Sequence, residues 1–165
     1  MKLRCLTAAL ALALAGSATA REYTGTAPAP ANSAEKEIAA LFDQWNAALA
    51  TGEPAKVAAL YAPDGVLQPT VSNWMRQGRD EVQDYFVKFL QLDPKGVINA
   101  RDIRVIDEDT AMDAGIYTFT LTEGGQSRQV QARYTYVYEK LDGQWKIVLH
   151  HSSAMPEPVR HLASN

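Results

Sequence analysis

The sequence predicts an α+β domain, a curved and mostly antiparallel sheet wrapped around three N-terminal helices. Three observations carry that expectation. Apolar residues recur at helical spacing between residues 33 and 90, whereas long strand-like segments fill residues 97–153. A two-residue Asp142-Gly143 turn joins the last two of those strands. Residues 21–165, with neither internal repeat nor any apolar run of the roughly 20 residues a bilayer requires, are enough for one domain with its own core.

Asn32 followed by Glu35 reads as an N-cap with its capping-box partner. Ile38, Leu41, Phe42, Trp45 and Leu49 then repeat on one helical face, and Gly52 ends this first helix. Pro54 opens a short second helix with Val57, Leu60 and Tyr61 on one side. Val66–Gln68 and the SNWMRQG stretch read as short strands. A third helix runs from Asp80 to Leu90, with Val82, Tyr85, Phe86, Phe89 and Leu90 along one stripe. Four strands follow: 97–106, 110–121, 128–140 and 145–153.

The first twenty residues read as a secretory signal. Lys2 and Arg4 form a basic start, Leu6–Ala15 is apolar, and Ala18-Thr19-Ala20 is a small-residue cleavage site, so an exported chain beginning at Arg21 is expected. Cys5 would leave with the signal. The exported chain would then be periplasmic or secreted, without disulfides and without a membrane anchor. Residues 21–31 (REYTGTAPAPA) read as a flexible leader, residues 32–156 as the domain, and residues 157–165 as a tail. The net charge of -3 becomes more negative once Lys2 and Arg4 are lost. No basic stripe or basic–aromatic interleaving points to nucleic acid.

The chemistry concentrates near the C-terminus, in WKIVLHHSSAMPEP. In a two-residue hairpin Leu141 faces Gln144, so an unbroken ladder sets Tyr138 against Ile147, Tyr136 against Leu149 and Tyr134 against His151. The opposite face then carries Arg133, Val137, Val148, His150 and Ser152. On this reading His150 and His151 point to opposite sides and cannot share a metal; no metal or other cofactor is expected. His151 and Ser153 share a face but lack a third orienting group, which argues against a hydrolytic triad. The face with Tyr134, Tyr136, Ile147, Leu149 and His151 suits either a core or a pocket wall. Trp74 and Tyr117 are further candidates to line that pocket. The mixed face of Arg133, His150 and Ser152 suits a subunit contact.

ARYTYVYEKLDGQWKIVLHHSSAMP resembles the closing hairpin of the association domain of calcium/calmodulin-dependent protein kinase II, and more closely its free-standing bacterial relatives. GVLQPTVSN and GRDEVQDYFVKFL resemble the same family's segments before and within the third helix, so the likeness covers roughly residues 35–156. It implies a nuclear transport factor 2-like cone, assembly into homo-oligomers, and a deep pocket. It places the family's last-strand histidine on His151, and puts Tyr136 where the family has a pocket arginine. Neither a kinase domain nor a calmodulin-binding helix is present in this sequence. The resemblance therefore implies a self-associating module that binds an unknown small molecule. The other reading is a cofactor-free isomerase, cyclase or dehydratase with His151 as general base and Tyr134 or Tyr136 as hydrogen-bond donor. For that reading the sequence offers Asp64, Asp80 and Asp113 as carboxylates without placing any of them in the pocket.

Overall fold

A computed structural model describes residues 21–159. Helix α1 spans Ser33–Ala50, and the Asn32 side-chain oxygen accepts the Glu35 N–H at 2.9 Å, the expected N-cap. Its buried stripe is Ile38, Ala39, Phe42, Trp45 and Leu49. Helix α2, Pro54–Ala58, is shorter than its apolar pattern implies. Tyr61, expected on that helix, instead opens strand β1, Tyr61–Gln68. The two-residue β2, Arg76–Gln77, leads straight into α3, Gly78–Phe89, which a 3₁₀ turn over Leu90–Leu92 extends. Strands β3 (Lys95–Val105), β4 (Thr110–Glu123), β5 (Gln126–Leu141) and β6 (Gln144–Ala154) follow among the described residues.

All six strands form one sheet in the order β2-β1-β6-β5-β4-β3, antiparallel except where β1 runs parallel to β6. Its concave face packs on the helices, burying Phe42, Trp45, Val82 and Phe86 against Tyr117, Tyr134, Tyr136 and Tyr138. Sharp curvature comes from breaks in pairing. β3 slips by one residue between Ile98 and Ala100. Opposite this break, Gly115 comes so close that an added Cβ would lie 1.9 Å from the Ala100 carbonyl oxygen. A second break lies between Tyr138 and Val137, where Val148 becomes the extra residue of β6.

That second break corrects the expected hairpin register. From Leu141–Gln144 to Tyr138–Ile147 the pairing is as the turn dictates. Beyond it, Val137 faces Leu149, Tyr136 faces His150, Thr135 faces His151 and Tyr134 faces Ser152. Since side chains alternate along a strand, one inserted residue exchanges the faces of everything that follows. His150 and Ser152 are therefore buried on the concave side, while His151 is exposed on the convex side.

Residues 21–31, expected as a flexible leader, make contacts with the sheet. Tyr23 and Gly25 offer carbonyls to the Gln131 and Asn99 side-chain amides, and the Ala27 N–H donates to the Ile98 carbonyl at 2.8 Å. Residues 21–31 thus form a strap along the free edge of β3. The expected signal segment and most of the tail lie outside the described residues.

Candidate functional site

The concave face has two polar centres, separated by aromatic packing. The first is a closed ion pair. Asp113, on β4, is fully buried; Arg101 on β3 donates to it in bidentate fashion, with Nη2 at 2.7 Å, and the Tyr134 hydroxyl donates at 2.9 Å. Burial raises the Asp113 pKa above the ordinary carboxylate value, although Arg101 and Tyr134 pull it back. For Arg101 burial acts against the charge, yet the adjacent carboxylate outweighs it and raises the guanidinium pKa. With Arg101 and Tyr134 both donating to Asp113, this centre is a structural clamp across β3, β4 and β5.

The second centre borders a cavity of about 160 Å³ between the sheet, α1 and α3. Trp45, Tyr85, Phe86, Phe89, Tyr117 and Phe119 give it aromatic walls. His150 and Ser152 from β6 supply polar atoms, and Pro69, Thr70 and Val71 after β1 form part of the rim. The Tyr117 hydroxyl donates to Ser152 Oγ at 2.5 Å, and Ser152 also shares a short hydrogen bond with Thr70 Oγ1. His150 stacks on Tyr136 with ring centroids 4.1 Å apart and meets Trp45 edge-on at 5.4 Å. Its Nδ1 lies 2.9 Å from the Tyr61 hydroxyl, while Nε2 is buried without a partner.

Burial sets the protonation of this wall. It lowers the His150 pKa from 6.5 to about 3, with a smaller contribution from neighbouring His151, so the ring is neutral at physiological pH. Burial likewise raises the Tyr61, Tyr117 and Tyr136 hydroxyls above their ordinary value, and Tyr85 to about 12. All of these remain protonated.

Of the residues expected to line the pocket, Tyr117 does so. His151 is on the opposite face. Tyr134 is committed to Asp113, and Tyr136 packs behind His150. Trp74 is exposed, with the Arg76 guanidinium stacked 3.8 Å from its ring centroid. Of the three residues expected on the outer face, Arg133 is there and donates to Ser153 Oγ, while His150 and Ser152 point inward. Sequence reasoning missed His150 and Ser152 because it carried the turn's register through the bulge. The one available signal was Ile147-Val148-Leu149, where three apolar residues interrupt the alternation. Of the three carboxylates considered, Asp64 and Asp80 are exposed and Asp113 is on the concave face. Asp113, Tyr136 and His150 lie along one cross-sheet line, so two strand spacings, about 10 Å, separate the carboxylate from the histidine. Among the described residues no cluster of three or more His, Cys, Asp or Glu side chains could hold a metal, and no helix is long and apolar enough to cross a membrane.

The calcium/calmodulin-dependent protein kinase II association domain model matches residues 34–156, from the start of α1 past the end of β6. The chain belongs to that association-domain family. A crystal structure assigned to the family from Xanthomonas campestris is 61% identical, covering 84% of this chain and 99% of its own, with a TM-score of 0.82. The calcium/calmodulin-dependent protein kinase II hub homology domain of Chlamydomonas reinhardtii is 24% identical over 75% of this chain and 99% of its own, with a TM-score of 0.64. A Novosphingobium aromaticivorans structure assigned as a scytalone dehydratase is 16% identical over 79% and 90% of the two chains, with a TM-score of 0.66. The last two share the fold alone with this chain. Comparison with curated proteins gave no significant match. The fold is the nuclear transport factor 2-like, or cystatin-like, cone seen in these neighbours.

Proposed function

We propose that the protein is an exported, self-associating association-domain module whose concave cavity holds a small molecule. The observation that carries the assembly reading is the convex sheet face. Met112, Val137 and Leu149 form one apolar cross-strand row on it. Ala114, Thr135 and His151 form the next row, and Ile116, Arg133 and Ser153 the third. An apolar centre bordered by polar and charged groups is the composition of an interface. Family membership supports the same reading. The cavity, with an orphaned polar atom on an aromatic wall, supports the binding role.

Catalysis by the cavity histidine has less support. A general base works best with a pKa near the operating pH, and burial takes His150 well below it. Its ring nitrogen is oriented by a tyrosine hydroxyl, and the nearest cross-sheet carboxylate is already engaged by Arg101.

The substitution Val137→Glu tests the assembly reading. It should dissociate the oligomer while leaving the circular dichroism spectrum unchanged. An assembly of unaltered size would place the contact elsewhere. For export, N-terminal sequencing of material recovered from the periplasm or medium should begin at Arg21; a chain retained in the cytoplasm with Met1 would remove that part of the reading.

A further inference from the structure

The character of the cavity wall restricts what it can take. We infer that the cavity binds an uncharged aromatic molecule whose carbonyl or ether oxygen accepts a hydrogen bond from the Nε2–H of His150. The inference rests on the small-molecule reading above and narrows it to a chemical class.

Size and walls come first. A volume of about 160 Å³ is close to that of apolar protein cavities of about 150 Å³ that hold benzene. Six aromatic side chains line it, and such faces favour a flat ring in offset or edge-on contact. The occupant is therefore of one-ring size with a small substituent.

Charge comes second. Among the described lining residues the only formally charged side chain is Arg128, which is solvent-exposed on β5. The interior donors are neutral. A carboxylate placed there would give up its hydration without gaining a counter-ion, a cost that neutral hydrogen bonds do not offset. Arg101 is bound to Asp113 and the buried Arg76 to Asp84, and neither lines this cavity. The pocket arginine implied by the sequence resemblance is absent, and Tyr136 stands in its place.

The tautomer comes third. The Tyr61 hydroxyl is buried and finds one hydrogen-bond partner, His150 Nδ1. If Nδ1 carried the proton, the Tyr61 O–H would be left without an acceptor, a penalty that donation to Nδ1 avoids. Donation to Nδ1 leaves the proton on Nε2. His150 lines the cavity and its Nδ1 is taken by Tyr61, so Nε2, buried without a partner, is the ring nitrogen left for an occupant. Ser152 is already engaged by Tyr117 and Thr70. The Trp45 indole N–H, on another lining residue, also lacks a hydrogen-bond partner. Nε2–H is thus a buried donor on β6 that awaits an acceptor, beside the Trp45 indole on α1.

Three probes of one shape separate the possibilities: acetophenone, ethylbenzene and benzoate, titrated into the exported chain at pH 7 and followed by NMR shifts of cavity residues. Acetophenone should bind about tenfold more tightly than ethylbenzene, and benzoate most weakly. In His150→Phe, which keeps a ring against Tyr136, acetophenone and ethylbenzene should bind alike. Should that variant fail to fold, Tyr61→Phe serves instead: by freeing Nδ1 it should narrow the acetophenone preference. The ¹⁵N spectrum of wild-type His150 should show the Nε2-protonated tautomer. Benzoate binding tightest, equal affinity for acetophenone and ethylbenzene, or an Nδ1-protonated ring would overturn this inference while leaving a binding cavity in place. Failure of all three probes to bind the wild type would overturn the cavity reading itself.

Discussion

Acid should unfold this protein in a way that one residue controls. His150 is neutral in the folded chain because burial lowers its pKa from 6.5 to about 3. The sign follows from linkage. A depressed folded-state pKa means that the unfolded chain takes up the proton first. The stabilisation is then complete above about pH 6.5 and is lost as pH falls toward 3. Each pH unit in that window removes about 1.4 kcal/mol, so the full loss is roughly 4–5 kcal/mol. That is a large share of the 5–15 kcal/mol typical of a whole domain. Asp113, whose pKa is raised by burial, has the opposite sign: its contribution is present in acid and lost as pH rises. The comparison must therefore be between the wild type and His150→Phe, in which Asp113 is unchanged. Urea unfolding at fixed protein concentration, followed by Trp fluorescence between pH 7 and 4, reads the difference, since Trp45 packs edge-on against His150. The wild type should lose stability relative to the variant by about 1.4 kcal/mol per unit below pH 6.5. Parallel pH profiles would refute a buried neutral histidine at this position.

Further outcomes follow from the same structure. Asp113→Asn leaves the largely buried Arg101 guanidinium without a counter-charge and should cost about 3–5 kcal/mol in urea unfolding; a loss below about 1 kcal/mol would mean the clamp is not intact. Gly115→Ala forces a Cβ to within 1.9 Å of the Ala100 oxygen, so the variant should express as insoluble protein or melt far below the wild type. Removing residues 21–31 abolishes three hydrogen bonds to β3 and β5 and should raise hydrogen exchange along β3; unchanged exchange would show that the strap does not hold that edge. His151→Ala should leave acetophenone binding unchanged, because that side chain is on the convex face.

Much of this architecture can be read from the sequence, for local reasons. The Asn32 cap, the Trp45-bearing stripe and the α3 stripe are short-range patterns, and each emerges within a residue or two of its expected bounds. The Asp142-Gly143 turn likewise fixes the pairing of Glu139 with Lys146 and Tyr138 with Ile147. What the sequence does not disclose depends on curvature. β6 must pair with β5 on one side and β1 on the other while bending around α1. Both ladders shift near the same point, between Tyr61 and Val66 in β1 and at Val148 in β6. No turn rule reports a shift imposed by the neighbouring layer, and that shift decides which histidine enters the cavity. The ion pair is similarly hidden: the β3–β4 register, which slips between Ile98 and Ala100, sets Arg101 diagonally across from Asp113. The strap contacts are hidden too, since a Pro/Ala/Thr-rich composition does not disclose which partners a sheet edge offers.

Subunit number tests the central claim of a self-associating module most directly. Native mass spectrometry of the chain beginning at Arg21, over a tenfold concentration range in the micromolar region, should give one closed stoichiometry of at least two subunits. Val137→Glu should shift it to the monomer. A wild-type protein that remains monomeric across the range would contradict the account.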